Sequence, residues 1–117
     1  MSVLNITLPI KALSVNAAYR GRRFNTNEKN VFDHKLRLLL PKTVVEGKPY
    51  YRITYRFFLV NFIQTDQQNL LKCLTDGLVK RGIIKDDKYI IDESIRKFPS
   101  NTDRIEITVE GVGLETP

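Results

Sequence analysis

The pattern of hydrophobic and polar positions predicts four β-strands. It is most regular where polar residues alternate with large apolar ones, at Tyr51, Ile53, Tyr55, Phe57 and Leu59. A period of two residues indicates a strand with one buried face. Three further segments are also predicted as strands, Val3–Leu8, Tyr89–Lys97 and Arg104–Glu110, and the last of them alternates cleanly. Turn-forming residues at 99–101 separate the last two strands, so we expect these strands to pair as a hairpin.

Two other segments have the period of an α-helix. The first starts at Asn27, which can cap a helix, and continues to about Leu40, where Pro41 follows. The second covers about Gln67–Arg81 and ends at Gly82. Its leucines cluster on one side of the helix, which we expect to pack on the sheet.

The predicted order of elements is therefore β-α-β-α-β-β. This order predicts an α+β fold with two helices on one mixed sheet of about four strands. A length of 117 residues suits a single domain that covers residues 1–117. We expect a loop over residues 11–27, which are rich in Arg, Asn and Gly, and a flexible tail over residues 110–117.

The composition is that of an ordinary globular protein, with 42% hydrophobic and 27% charged residues. No apolar run is long enough to cross a bilayer, and the first residues do not resemble a signal peptide. We therefore expect an intracellular protein that does not act at a membrane. The single cysteine, Cys73, excludes an internal disulfide and an all-cysteine metal site, and its helical context predicts a small buried side chain.

Positive charge is concentrated in the first half of the chain. Residues 1–60 contain 11 Lys and Arg against 3 Asp and Glu, a balance of +8. Residues 61–117 contain 8 against 10, a balance of −2, and the whole chain carries +6. Nucleic acid is the partner that best explains the basic half. A basic surface that only keeps the protein in solution is the alternative.

The second predicted helix also has a polar side. At about 100° per residue, Asn69, Lys72 and Asp76 lie within about 60° of one another, opposite the leucines. A solvated helix face explains this arrangement without any chemistry, and periodicity alone favours that explanation.

The aspartates on either side of this helix also have structural explanations. Asp66 precedes the helix, where Asp is a favoured N-cap, and Thr65 with Gln68 fits a capping box. Asp86 and Asp87 follow the turn at residue 82, and aspartate is common in turns. A functional interpretation is needed only for the combined spacing of these residues.

Metal-assisted cleavage of a phosphodiester is that functional interpretation. Mg²⁺ prefers hard oxygen ligands, commonly one or two carboxylates together with substrate phosphate and water. The ion can activate a water molecule or stabilise the leaving oxygen during hydrolysis. Lys72, one to two turns into the helix from Asp66, can neutralise the phosphate, and the turn after the helix can bring residues 86–87 back toward it.

These residues resemble the RusA family of Holliday junction resolvases. That family carries Asp-x-Asp-Asn-x-x-Lys, then Asp-x-Leu, a Gly turn and Asp-Asp. Residues 66–72, 76–78, 82 and 86–87 follow this arrangement except at Gln68. The segments Ile6-Thr7-Leu8-Pro9, Ser14-Val15-Asn16 and Tyr19-Arg20 are similar to the family's opening strand and loop. The resemblance extends from about Ile6 to Val109.

The resemblance implies a homodimeric endonuclease that binds four-way DNA junctions and makes paired symmetric nicks with Mg²⁺ or Mn²⁺. Such an enzyme acts in DNA recombination and repair or on branched phage DNA. Position by position, Asp66 and Asp87 match metal-binding carboxylates, and Lys72 matches the catalytic lysine. Asp86 is a further candidate metal ligand, and Asp76 lies near the site. The candidate DNA-binding residues are Asn16, Arg20, Arg22, Arg23, Asn69 and Lys72.

Gln68 departs from the family pattern, which has a second metal-site aspartate at this position. Glutamine removes one negative charge, although its amide oxygen can still coordinate a metal more weakly. The site can recruit Asp86 or Asp76 instead, or the enzyme can be slow and need more metal. The chain can also be a substituted form of an active enzyme, or a junction-binding protein with weak or no cleavage. A basic regulatory protein without a nucleic-acid role is a third class of function.

Several other residues have competing interpretations. His34 is the only histidine, and we expect it at the surface rather than as a catalytic base. Phe24, next to two arginines, can stack on an unpaired base or pack within the loop. For the aromatic residues within 50–58 we prefer a structural role, in the sheet core or a dimer interface, over a platform for nucleic acid.

Overall fold

The segment with the most regular alternation forms an inner strand of the sheet. The structure, a computed structural model, describes residues 2–13, 19–20, 24–65 and 70–114, with the backbone alone at 19–20 and 24–25. The described elements are, in chain order, strands β1 (Val3–Leu8), β2 (Tyr19–Arg20) and β3 (Phe24–Asn25), helix α1 (Asn27–Leu39), strand β4 (Tyr50–Leu59), helix α2 (Leu71–Arg81), a 3₁₀ turn (Asp87–Tyr89), and strands β5 (Ile90–Pro99) and β6 (Arg104–Val112).

The main sheet of the described residues has four strands in the spatial order β1-β6-β4-β5. Strand β6 is antiparallel to both of its neighbours, whereas β4 and β5 are parallel because α2 carries the chain back between them. This mixed sheet with two helices confirms the predicted α+β class and the order β-α-β-α-β-β. The short strands β2 and β3 form a separate antiparallel pair.

The predicted hairpin of the last two strands is wrong. Strand β4 lies between β5 and β6, so residues 100–103 carry the chain past β4 from one of its neighbours to the other. Strand β6 buries Ile105, Ile107 and Val109 and is an inner strand, whereas β5 is largely exposed and forms an edge. Turn residues indicate that a chain reverses its direction, but they do not exclude a third strand between the two.

Several predicted boundaries also change. Residues 19–20 and 24–25, predicted as loop, form β2 and β3. Strand β5 continues to Pro99, and β6 reaches Val112, so residues 110–112 belong to a strand rather than to a flexible tail. Residues 113–114 follow the strand, and the rest of the predicted tail lies outside the described residues.

Local caps mark the start of α1 and the end of α2. Thr26, not the predicted Asn27, caps α1, and its Oγ1 accepts a hydrogen bond from the Lys29 backbone N–H at 3.2 Å. Gly82 ends α2 in the left-handed conformation, with φ of 83°, where its missing Cβ avoids strain. Among the described residues, neither helix has the length and apolar character required to cross a membrane.

The core lies between the helices and one face of the sheet. Strand β4 buries Tyr51, Ile53, Tyr55, Phe57 and Leu59 on this face, as the alternation predicted. The structural role preferred for the aromatic residues of this strand is therefore confirmed for the three that are buried. Helix α2 contributes Cys73, Leu74 and Leu78 to the same core. Cys73 is buried as expected, and its burial raises the pKa of its thiol.

The opposite face of the sheet carries paired charges. Arg52 Nε lies 2.9 Å from Asp92 Oδ2, and its Nη1 lies 3.6 Å from Glu110 Oε2. Arg56 similarly contacts Glu106 at 3.3 Å. Neighbouring strands therefore supply carboxylates for the arginines of β4.

Candidate active site

Helix α2, the 3₁₀ turn and the start of β5 border a surface cleft of about 440 Å³. Its lining contains Lys72, Asp76 and Asp87, three residues that the sequence placed at or near a site. The other lining residues are Thr75, Ile90, Ile91, Asp92 and Glu93. Among the described residues the cleft thus places Lys72 near the carboxylates of Asp76, Asp87 and Glu93, while Asp92 at its edge pairs with Arg52. Carboxylate oxygens are the ligands that a divalent cation such as Mg²⁺ prefers.

Helix α2 places the side chains of Lys72 and Asp76 at the cleft. Lys72 and Asp76 are four residues apart and share one face of the helix. The buried residues of α2 hold the opposite side against the sheet. After Gly82, the fully buried Ile83 and Ile84 anchor the returning chain. This anchored turn brings Asp87 back beside the helix, as expected from the sequence.

Asp86 and Asp87 form a polarised carboxylate pair. Asp86 caps the 3₁₀ turn, and its carboxylate accepts a hydrogen bond from the Lys88 backbone N–H at 3.3 Å. A hydrogen bond between the two side chains lowers the pKa of Asp86 and raises the pKa of Asp87. Repulsion by Asp86 and by Asp76 raises the pKa of Asp87 further. A cation bound at Asp87 would relieve this repulsion.

Strand β5 adds two carboxylates that the sequence analysis did not single out. A bulge in the β4–β5 pairing near Tyr51 and Arg52 places Asp92 opposite Arg52 and Glu93 opposite Ile53. Because Ile53 points into the core, Glu93 faces the helices, whereas Asp92 pairs with Arg52 on the other face. The apolar Ile95, two residues after Glu93, was the signal that could have identified this orientation.

Lys97 connects β5 to the turn that leads toward α2. Its Nζ donates hydrogen bonds to the backbone carbonyls of Phe62 at 2.8 Å and Thr65 at 3.0 Å. The same ammonium group lies 4.8 Å from the centre of the Phe62 ring. Thr65 Oγ1 donates to the Asn61 carbonyl at 2.7 Å, which closes the turn on itself. Strand β5 therefore supports both the cleft and the segment that precedes residue 66.

Several predicted site residues lie outside the part of the chain that the structure describes. Asp66, Gln68 and Asn69 lie outside the described residues, and so do Asn16, Arg22 and Arg23. Helix α2 begins at Leu71 rather than near the predicted Gln67, and its N-cap, Leu70, makes no side-chain capping hydrogen bond. The predicted capping residues Asp66 and Gln68 themselves lie outside the described residues. The backbone of Arg20 belongs to β2. Of the predicted metal-site and catalytic residues, Lys72, Asp86 and Asp87 are thus the described ones.

The described carboxylates are the kind of ligand that a divalent cation prefers, but they do not form a complete metal site. Asp76, Asp86 and Asp87 offer carboxylate oxygens, the ligand type that Mg²⁺ and Mn²⁺ prefer. Within residues 2–13, 24–65 and 70–114, however, no three His, Cys, Asp or Glu side chains converge closely enough to hold a metal ion. A further ligand, such as a residue at 66–69 or a substrate phosphate, is needed.

The chain matches the sequence model of a known protein family over most of its length. A sequence model described as endodeoxyribonuclease RusA matches residues 18–110, which include the whole cleft. The match indicates a hydrolase that cuts DNA within the strand. The chain belongs to the RusA endodeoxyribonuclease family, and membership implies Holliday junction resolvase nuclease activity on branched DNA. A search of curated proteins gives no match.

Proposed function

We propose that the chain is a divalent-metal-dependent endonuclease that resolves four-way DNA junctions by paired, symmetric nicks. The observation that carries this proposal is the presence of Lys72, Asp76 and Asp87 in one cleft of a RusA-family chain. Recombination and repair inside the cell, or processing of branched phage DNA, would supply such junctions.

Lys72 acts on the phosphate in this proposal. Its ammonium group stabilises the negative charge that develops on the phosphate oxygens as the attacking oxygen adds. Asp76 lies one turn further along the same helix face, and its carboxylate repels phosphate oxygens. The substrate is therefore favoured where a cation separates its phosphate from the carboxylates.

Asp66 and Asp87 are the proposed metal ligands, with Asp86 or Asp76 as a further candidate. The bound Mg²⁺ or Mn²⁺ would supply an activated water and stabilise the leaving oxygen. Asp87 must be ionised to bind the cation, and the like charges around it favour occupation of the site by a cation.

Gln68 weakens the metal site without abolishing it in this proposal. The chain lacks the second family aspartate but gathers other carboxylates in the same cleft. The expected result is an active enzyme that needs a higher metal concentration. The alternative function is a junction-binding protein with weak or no cleavage, which the same substitution favours.

A homodimer would explain the preference for four-way junctions. Two cleft sites related by a two-fold axis match a substrate that has two-fold symmetry, and they can nick opposed strands at equivalent positions. Phosphate contacts then supply affinity without base reading, and the geometry of the dimer supplies selectivity.

A nicking assay on a labelled synthetic four-way junction tests the proposal, with Mg²⁺ and Mn²⁺ titrated separately. Gln68→Asp is compared with Gln67→Asp, which adds the same charge one residue away. We expect metal-dependent paired nicks from the unmodified chain. Gln68→Asp should lower the half-saturating metal concentration by about tenfold, a scale typical of changes around metal ligands, and Gln67→Asp should not.

Two outcomes contradict this form of the proposal. Junction binding without nicks at any metal concentration, with cleavage only in Gln68→Asp, identifies a binding protein on a nuclease fold. Nicking that continues at full rate in the presence of EDTA excludes the metal-dependent mechanism.

A further inference from the structure

The helices form a second concave surface, the interhelical groove, which the cleft chemistry does not use. This groove has a volume of about 590 Å³. Its lining residues come from both helices: Asn30, Asp33, His34, Leu36, Arg37, Gly77, Lys80 and Arg81. His34 is exposed, as predicted, and it belongs to this polar surface.

The floor of the groove is fixed by close helix packing. A Cβ atom at Gly77 would lie 2.7 Å from Leu36 Cδ1, so glycine allows the two helices to approach closely. At the end of the groove, Arg81 Nε donates a hydrogen bond to the Leu40 carbonyl at 3.1 Å. The guanidinium of Arg81 is therefore held in place on a rigid surface.

The charge of the groove is mainly positive. Of the residues that line it, Arg37, Lys80 and Arg81 are cations and Asp33 is the one carboxylate. Asp33 is bridged by the buried Lys29 and lies 3.8 Å from Lys80 Nζ, whose side chain remains 66% exposed. The buried Lys29 partly neutralises the negative charge of Asp33.

The groove therefore differs from the open face of the sheet. On that face, Arg52, Arg56 and Arg104 each have carboxylates from the same or neighbouring strands within 3.6 Å. Among the described lining residues of the groove, three cations accompany one carboxylate, Asp33, which contacts Lys80 and the buried Lys29. On the sheet, the exposed Arg96 stacks on the Phe98 ring, 5.4 Å from its centre. The groove differs in that its cations come from two helices and line one concave surface.

We propose that the interhelical groove binds the phosphodiester backbone of a DNA arm that extends away from the cleft. This inference rests on the proposed function, because it gives the same substrate a second contact. Helix α2 carries Lys72 and Asp76 toward the cleft and Lys80 and Arg81 toward the groove. At about 1.5 Å per residue, Asp76 and Lys80 are about 6 Å apart along the helix axis. A DNA duplex is wide enough to contact both sides of one helix.

The helix dipole offers a simpler explanation for some of these charges. Arg37, Lys80 and Arg81 all lie in the last turn of their helices, where cations stabilise the helix terminus. That effect explains a cation at each helix end. It does not require cations from two helices to converge on one groove, nor the exposed Asn30 and His34 beside them. The two explanations differ in their effect on DNA binding.

The salt dependence of junction affinity tests whether the groove binds the DNA backbone. The full chain is titrated onto a labelled four-way junction at several NaCl concentrations, with Ca²⁺ replacing Mg²⁺ to prevent cleavage. The test variant is Arg37→Gln/Lys80→Gln, which leaves the hydrogen bond of Arg81 to Leu40 intact. The matched control, Lys42→Gln/Lys48→Gln, removes two exposed cations from the loop before β4. Arg37→Lys/Lys80→Arg preserves the charge.

We expect the test variant to weaken junction binding about tenfold or more at low salt. Each lost phosphate contact lowers the slope of log K against log salt by about 0.9, so two contacts lower it by about 1.8. The Lys42/Lys48 control should keep the slope of the unmodified chain, and the charge-preserving variant should restore it. A circular dichroism melt verifies that each variant folds.

The groove proposal is overturned if the test variant and the control have equal slopes. It is also overturned if the test variant changes the sedimentation of the free protein and leaves DNA binding intact, because the groove then contacts a second copy of the chain. In both cases the unmodified chain still binds the junction, and the separate nicking assay with Mg²⁺ or Mn²⁺ decides the proposed function. If the unmodified chain binds no junction, both proposals fail.

Discussion

The two sides of helix α2 differ in charge and in the elements they adjoin. On one side, the cleft combines Lys72 with carboxylates from α2, the 3₁₀ turn and β5. On the other side, the interhelical groove gathers cations from α1 and α2 over a floor set by Gly77. One helix thus separates a surface suited to chemistry on a phosphate from a surface suited to holding phosphates. Substitutions on the two sides should change different measured quantities.

The largest expected effect on the cleft side comes from Lys72→Met. Removal of one charge-stabilising group at a transition state commonly costs about 10²–10³ in rate. We expect a loss of that size in the nicking rate at saturating junction and metal, at every salt concentration. Groove substitutions, in contrast, should act through affinity and depend on salt. The measurement is single-turnover nicking, with Lys42→Met as a control.

If added junction DNA restored the nicking rate of Lys72→Met, the proposed difference between the cleft and the groove would be contradicted. Lys72 would then be a binding residue like those proposed for the groove. An unfolded variant is distinguished by its circular dichroism spectrum.

A smaller effect is expected from Lys97→Met. This variant tests whether β5 stabilises the cleft side of α2 without stabilising the groove side. The change removes two charge-assisted hydrogen bonds to the Phe62 and Thr65 carbonyls. Hydrogen bonds to charged groups contribute about 1.5–3 kcal/mol, so we expect the local opening free energy of residues 61–65 to fall by about 2 kcal/mol. Native-state hydrogen exchange measures this fall. Amides of α1 at the groove should be unaffected.

Lys97→Arg supplies the control for this experiment, because arginine retains donors for both carbonyls. Faster exchange spread equally over α1 and the turn would contradict the local role and indicate a global loss of stability.

The smallest expected effect concerns the carboxylate pair. Asp86→Asn removes the carboxylate whose hydrogen bond to Asp87 and whose negative charge both raise the pKa of Asp87, while the amide oxygen can still accept the Lys88 N–H bond. We expect the pKa of Asp87 to fall toward its ordinary value, because its charged form is no longer opposed by Asp86. Carboxyl carbon shifts in an NMR titration measure this change. An unchanged pKa would mean that Asp76 and burial, not Asp86, set it.

The sequence predicted elements with a strong local pattern and failed where pairing depends on distant residues. Strand β4 alternates so regularly that its buried face could be read directly. The hairpin of β5 and β6 was wrong because insertion of β4 between them leaves no local signal in residues 99–101. The cap of α1 shifted by one residue because Thr26 and Asn27 are both good cap residues.

The candidate site was predictable in part for a similar reason. Lys72 and Asp76 follow from helical spacing, and the return of Asp87 follows from the glycine turn. Glu93 was missed because its orientation depends on a bulge between two strands that are far apart in the sequence. Pairing register is set by tertiary structure, and a single strand does not encode it.

The inner position of β6 has a consequence for the synthesis of the chain on the ribosome. Strand β1 pairs with β6 alone among the described strands, with Val3 opposite Glu110 and Leu8 opposite Ile105. A nascent chain that has emerged through Ser100 therefore contains β1 and β4 but cannot join them into one sheet. Closure awaits contacts between residues about as distant in sequence as this chain allows, and such contacts make folding slow. Until then, the backbone edges of β1 and β4 that pair with β6 lack that partner.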